Sequence, residues 1–556
     1  MLNLRRGILQ LGAISLAGSW NRMPILRGVC AGLALAGAEA FADVGNKGPW
    51  GDQGDGTYRN PILPADYSDV DAIRVGADYY AISSTFQYSP GMAILHSKDL
   101  VNWRIAGHAI ADLAAISPEL NWDRMNRYGR GVWAGSLRFQ DGEFRLYFGT
   151  ADEGFFMTRA RDPAGPWEPL TCVLKDSGWD DCCPFRDDDG QGYLVGTRFA
   201  PDPGDGKRYK IHLFKLTDEG KGLVPGFDTV IHQSEGSEAN KLYKWNGLYY
   251  HLFSEVKREG RVVMMGRAKS IAGPYEVRQL QHVDKARDRE PNQGGIVQTE
   301  KGDWWFVTHQ GTGAYEGRTL CLLPVTWRDG WPVIGAVGAD VIGSMVWQAR
   351  KPIGGCAAAV LQTSDDFSGP VLQPQWEWNY QPRGEKWSLA ERPGWLRLHA
   401  FKPLQRGNLL KAGNTLTQRL VGNEGGEVTL KLDVSHLADG QAAGLCHYGR
   451  HYAWLGVAQA GGVRRLVCAA DGARTPGAGV GGADVWLRSV ISNAGASSWA
   501  FSFDGRAFTA IGGTYPLEWA NYRGDRIGIF SYNDEADEGF VDVDEFQYRI
   551  AGARSP

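Results

Sequence analysis

The chain has no CxxC pair, no block or stripe of basic residues, no apolar run approaching the roughly 18–20 residues of a membrane span, and no long Ala/Leu/Glu/Lys tract. Each absence removes a class of protein. Without paired cysteines there is no cage for structural zinc. Eight cysteines are present, and Cys30 falls in the N-terminal segment, leaving Cys172, Cys182, Cys183, Cys321, Cys356, Cys446 and Cys468. An odd set at irregular spacing argues against a disulfide framework and reads as small buried hydrophobes, with Cys446–Cys468 kept as one compatible pair. The balance of 59 basic and 63 acidic residues leaves a net charge of −4, which offers nothing to nucleic acid or anionic lipid. A neutral partner fits better. The missing helical tracts are matched by an abundance of turn and strand formers: 74 Gly and 21 each of Trp, Tyr and Phe. The composition is that of an all-β protein, and 556 residues are too many for one core.

The first 42 residues differ from the rest. Arg22 and Arg27 precede an apolar run from Gly28 to Ala38 and the small-residue site Ala40-Phe41-Ala42. That pattern predicts a signal peptide cleaved after Ala42, and hence an exported protein, periplasmic or secreted. A second short apolar run after Arg5-Arg6 weakly resembles a twin-arginine signal, so Met23 competes with Met1 as the start. Neither run is long enough to leave a membrane span in the mature chain.

A repeat follows. GADYYAIS at Gly76, DGEFRLYFGT at Gly142, GQGYLVGT at Gly190, NGLYYHLFSE at Gly247 and KGDWWFVTH at Gly302 each join turn chemistry to an aromatic or β-branched run, at intervals of 48 to 66 residues. SKDLVNW, ARDPAGPW and AKSIAGPY add a second shared element. Five sheets of about four strands in residues 43–350 describe a five-bladed β-propeller. A Gly/Ala-rich linker over 351–365 leads to alternating strands in 366–556 that read as a β-sandwich. Trp376 and Trp378 there suit either carbohydrate contact or packing against the propeller.

Counting nine residues back from the turn glycines reaches Trp133, Asp181, Glu238 and Gln293, while Asp69 stands seven before Gly76. Since the first strand of each blade lines the channel, these positions converge around the axis. Carboxylates gathered out of water raise one another's pKa, and such crowding is expected where chemistry requires it. One protonated and one ionised carboxylate are the requirement for cleaving a glycosidic bond, and a third can tune the donor. Near Asp69, Asp66 suits a turn, and Asp71 shares the strand face and remains its rival. Asp180 points away from Asp181 if the strand is extended there, and Asp187, Asp188 and Asp189 read as a solvated turn.

NPILPADYSDVDAIRVGADYY, GWDDCCPFRDDDG and SEANKLYKWNGLYY resemble, in order and spacing, the three signature blocks of glycoside hydrolase family 43 over about Tyr58 to Gly343. The C-terminal half is similar to the sandwich carried by xylosidase-type members. The resemblance implies an inverting exo-glycosidase releasing terminal xylose or arabinofuranose from plant hemicellulose oligosaccharides or polysaccharides. It assigns Asp69 as general base, Glu238 as general acid and Asp181 as the acid that modulates the donor's pKa. It further implies that Arg318 reaches substrate hydroxyls, a surface ion pair being the alternative, and that Phe86 and Trp133 form the apolar wall unless they are blade core. No cofactor is required. Many members hold calcium through a channel histidine, where this chain has Gln293; its amide oxygen can bind calcium, which keeps a structural calcium in the propeller channel open, or contact substrate, although no EF-hand-type acidic loop accompanies it. The rivals are a retaining five-bladed fructan hydrolase, disfavoured because no Asn-Asp-Pro-Asn-Gly block is present, and a non-catalytic carbohydrate-binding propeller. Oligomeric state leaves no mark in the sequence.

Overall fold

A computed structural model describes residues 50–200, 209–283, 291–311, 314–359, 361–422, 424–520 and 522–551. The signal-peptide expectation lies outside them. Among the described residues the regular structure is strand, apart from four short 3-10 turns, and no helix is long and apolar enough to cross a membrane.

Five antiparallel sheets form the blades. Their first strands are Asp71–Val75, Gly135–Gln140, Trp179–Arg186, Ser237–Trp245 and Pro291–Gln298. Each of these touches the first strand of the next blade, and the fifth touches the first, so the ring is closed. All five repeat glycines, Gly76, Gly142, Gly190, Gly247 and Gly302, have φ between 61° and 92°. The tight turn needs the left-handed region that glycine enters without a Cβ penalty. This is the physical content of the sequence repeat.

Closure draws on both ends of the propeller. Leu63–Asp66, ahead of blade one, pairs with Arg318–Arg328 of blade five, with Thr319 opposite Asp66 and Leu320 opposite Leu63. Blades five and one meet at Gly295, where an added Cβ would lie 2.6 Å from the Ala72 nitrogen and 2.8 Å from Asp71 Oδ1.

The C-terminal half is a sandwich of a seven-stranded and an eight-stranded sheet. Alternation along its strands sends Leu430, Leu455, Ile529 and Phe546 into a shared core, where each fully buried chain contributes about 1.5–3 kcal/mol. The eight-stranded sheet does not end within the sandwich. Its last strand is Tyr88–Ser89 from the propeller, paired with Glu377–Asn379. The linker-joined modules expected from the sequence are thus also joined by a ladder.

Two alternatives left open by the sequence are decided. Trp376 and Trp378 are only 2% and 3% exposed and present no platform to carbohydrate. Trp376 packs on Phe367 and Phe546 inside the sandwich and donates its Nε1–H to Asp365 Oδ2 at 2.8 Å; Trp378 lies opposite propeller residue Ser89. Cys446 and Cys468 are free, like the other described cysteines. The strand Tyr452–Ala460 runs between theirs, and two strand spacings, about 9–10 Å, exceed the Cα separation a disulfide can bridge.

Candidate active site

Three of the five first strands carry an irregularity at the same end. Pairing slips between Asp180 and Cys183, between Glu238 and Lys241, and between Pro291 and Gln293. Asp69, just ahead of the first blade's ladder, has φ 58°, Asp181 has φ 51° and Ala239 has φ 67°. Left-handed backbone at a residue with a Cβ costs of order 1–3 kcal/mol and gathers at functional sites. A bulge re-aims side chains that a straight strand would send to alternate faces.

The bulges change the register inferred from counting. Asp180 pairs with Thr197 and Glu238 with Ser254 immediately before the slip, and pairing resumes at Cys183 and Lys241. Asp180 is therefore the counterpart of Glu238, and Asp181 that of Ala239. The count of nine misaligned them because the turn after Trp179–Arg186 spans five residues, 187–191, whereas the turn after Ser237–Trp245 spans two.

The acids nevertheless meet. Burial pushes the Asp181 carboxyl up to about 7, the charges of Glu238 and Asp69 add to the rise, and Lys241 and the Ala239 amide oppose it. Asp180 is raised as well, by burial first and then by Asp181, Glu238 and Asp69. The expectation that Asp180 turns away fails, because the chain is not extended at Asp181.

Each has a distinct setting. Asp69 Oδ1 accepts from Arg318 Nη1 at 2.6 Å, and the Asp69 amide donates to His309 Nδ1 at 2.8 Å. His309 must then carry its proton on Nε2, which faces Asn292 Oδ1 at 2.9 Å. Burial, then Arg318 and Lys241, hold this histidine's pKa well below the ordinary value. Asp181 Oδ1 accepts from Gln293 Nε2 at 2.6 Å, and Asn240 Nδ2 holds the Asp181 carbonyl at 2.9 Å. Glu238, half-buried, is ion-paired with Arg261 at 3.2 Å; Arg261 Nη1 also donates to Gly236 O and Ser254 Oγ, both at 3.1 Å. The fully buried Lys241 Nζ donates to Asn240 O at 3.0 Å.

Asp71, the rival of Asp69, lies elsewhere. It is fully buried, and its Oδ2 accepts from the Leu137 amide at 3.0 Å and Arg138 Nη1 at 2.7 Å, tying blade one to blade two. Asp66 accepts from Ser68 Oγ at 2.8 Å and the Arg318 amide at 3.1 Å. Asp187 is not freely solvated, since Lys244 pairs with it at 2.5 Å; Asp188 is exposed.

Phe86 is buried, with its backbone bridged to Val132 beside Trp133. The guanidinium of Arg523 lies 5.3 Å from the Phe86 ring centre, so that face is already covered. Trp133 is half-buried and packs on Phe199 at 6.2 Å. The sandwich reaches this rim: the exposed Tyr522 ring lies 5.4 Å from the Arg318 guanidinium, and Arg523 Nη1 donates to Gln87 Oε1. Neither residue belongs to the fivefold repeat, so counting could not find them. Arg261 and Lys241 were equally invisible, the first because it crosses from the third strand of its blade, the second because a lysine in a strand reads as solvent-facing.

No group of three His, Cys, Asp or Glu is placed to hold a metal among the described residues, and both His309 ring nitrogens have protein partners. Gln293 spends its Nε2–H on Asp181, so only its Oε1 would be offered to a cation.

Both halves of the chain have recognisable relatives. The family model described as glycosyl hydrolases family 43 matches residues 58–332, and that described as beta xylosidase C-terminal concanavalin A-like domain matches 364–549. A beta-xylosidase of Formosa agariphila is 36% identical, covering 91% of this chain and 93% of its own. A non-reducing end alpha-L-arabinofuranosidase of Bacteroides ovatus is 32% identical over 62% of this chain and 65% of its own. Among solved structures, a bifunctional protein of Bacteroides eggerthii superposes with TM-score 0.78 at 30% identity over 92% of this chain, which spans 64% of that longer one. A protein of Bacillus licheniformis superposes with TM-score 0.75 at 26% identity, over 89% of this chain and all of its own.

Proposed function

The chain belongs to glycosyl hydrolases family 43 and is a glycoside hydrolase, and from that premise we propose that it releases terminal xylose, with inversion, from hemicellulose-derived oligosaccharides. The observation that carries the reading is that Asp69, Asp181 and Glu238 come from three blades at left-handed or bulged backbone at the same end of the ring, near enough for the charges of Glu238 and Asp69 to raise Asp181. Glu238 delivers a proton to the leaving oxygen. Asp69, held by Arg318, takes a proton from the attacking water on the opposite face of the sugar. Asp181 supplies the negative field that keeps the donor protonated. Before substrate enters, Glu238 is ion-paired with Arg261, so that pair must open for Glu238 to act as proton donor. No step passes through a metal.

Xylose is favoured by the Formosa agariphila beta-xylosidase, which is alike over nearly the whole chain. Release of arabinofuranose is the second reading, supported by the Bacteroides ovatus relative. Export after removal of residues 1–42 rests on the sequence pattern alone, and the N-terminus of the mature protein would test it.

The mechanism predicts different losses at the two residues. Glu238→Ala should lose about 10²–10⁴-fold in kcat/KM on xylo-oligosaccharides but far less on 4-nitrophenyl xyloside, whose leaving group needs no proton; Asp69→Ala should lose both. Near-wild-type cleavage of oligosaccharide by either variant would refute the assignment. Proton NMR of the first product should show the inverted anomer.

A further inference from the structure

Asp180 has no part in the roles assigned so far. It occupies in blade three the ladder position that Glu238 occupies in blade four, the last pair before the bulge. The backbone that aims Glu238 into the channel therefore aims Asp180 too, on a side chain one carbon shorter. Its carboxylate senses Asp181, Glu238 and Asp69. Room for it comes from Gly149 of blade two, where an added Cβ would lie 3.1 Å from Asp180 Oδ1. Gly149 in turn accepts the Trp133 amide at 3.0 Å, which places Asp180 beside the aromatic rim. Oδ1 accepts the Asp181 amide at 2.8 Å. Oδ2 has no protein hydrogen-bond partner among the described residues, and the residue is only half-buried.

A fourth carboxylate pressed against three others is unfavourable unless something compensates it. Sugar hydroxyls suit that task, because they donate to an ionised carboxylate and accept from a protonated one. An anionic ligand would be repelled by the cluster.

We propose that Asp180 is a specificity-determining residue whose free carboxylate oxygen hydrogen-bonds a hydroxyl of the sugar to be released, and so sets the preference between xylopyranose and arabinofuranose. The inference rests on the reading of the site above. The two sugars differ in ring size and hence in where their hydroxyls stand, and an oxygen fixed by a bulge favours one placement over the other.

The test compares wild type, Asp180→Asn and Asp180→Ala on 4-nitrophenyl β-D-xylopyranoside and 4-nitrophenyl α-L-arabinofuranoside, with inhibition constants for free D-xylose and L-arabinose. Asparagine retains an oxygen for the Asp181 amide, so Asp180→Asn should melt with the wild type. It should nevertheless change the ratio of inhibition constants, and the ratio of kcat/KM where both substrates turn over, by about tenfold or more, mainly through KM. Unchanged ratios overturn the proposal, as does an equal fall in kcat on both substrates with KM unmoved, which would mean that Asp180 acts only through Asp181. If the wild type cleaves neither substrate, the parent reading fails instead.

Discussion

At the scale of single residues, Asp69 and Asp71 stand two positions apart, and the sequence alone left the base's identity open between them. Asp69 is fixed by Arg318 at the channel, whereas Asp71 is committed to Arg138 between two blades. Asp71→Asn should therefore lower stability, by about 3–5 kcal/mol if Arg138 is left uncompensated, with kcat of the folded fraction retained. Asp69→Asn should do the reverse, with a fall in kcat of about 10²–10⁴-fold and a melting temperature near that of wild type. Thermal unfolding and steady-state kinetics on both variants would check this, and a crossed result would transfer the base's role to Asp71.

At the scale of elements, the five blades were legible because each first hairpin needs a glycine at positive φ, and that requirement writes itself into the chain at intervals. The candidate site positions were legible to within one residue of ladder register. Asp69, Asp181 and Glu238 could be named, but the bulges that set their directions have no residue signature, and so Asp180 was sent the wrong way. Gly295 was also unremarked, though it is where blade five meets blade one. Gly295→Ala would drive a methyl group against the Ala72 backbone and should destabilise the protein by about 1–3 kcal/mol, read as a lower urea midpoint with the slope unchanged. A midpoint equal to wild type would mean that the ring tolerates a wider seam.

At the scale of the whole molecule, a buried charge cluster joins the halves. Glu377 of the sandwich is ion-paired with Arg419 at 2.7 Å and Arg526 at 2.5 Å, and meets propeller residue His108 at 3.0 Å; Arg419 Nε also donates to the Asp66 carbonyl at 2.7 Å. Burial opposes ionisation of Glu377, but the two arginines and His108 outweigh it and hold its pKa far below the ordinary carboxylate value. A depressed carboxylate contributes stability that is fully present above its unfolded pKa, about 4.3, and is lost as pH falls through the folded value. Stability should thus decline below about pH 4. Glu377→Gln should be less stable by about 3–5 kcal/mol at neutral pH and show a flatter acid limb, measured by melting temperature against pH. An acid limb as steep as that of wild type would assign the effect to other carboxylates.

The strand Tyr88–Ser89 bears on how such a protein can be taken apart and recombined. Because it completes a sheet whose other strands lie hundreds of residues downstream, the sandwich is not an interchangeable cassette. A chimera with a relative's C-terminal half would have to match at once the ladder at Trp378 and Ser89, the Arg419 bond to Asp66 and the Arg523 bond to Gln87. Grafting either half alone would leave an open sheet edge and unpaired arginines at the rim of the channel, so the two halves are expected to be inherited, and engineered, as a unit.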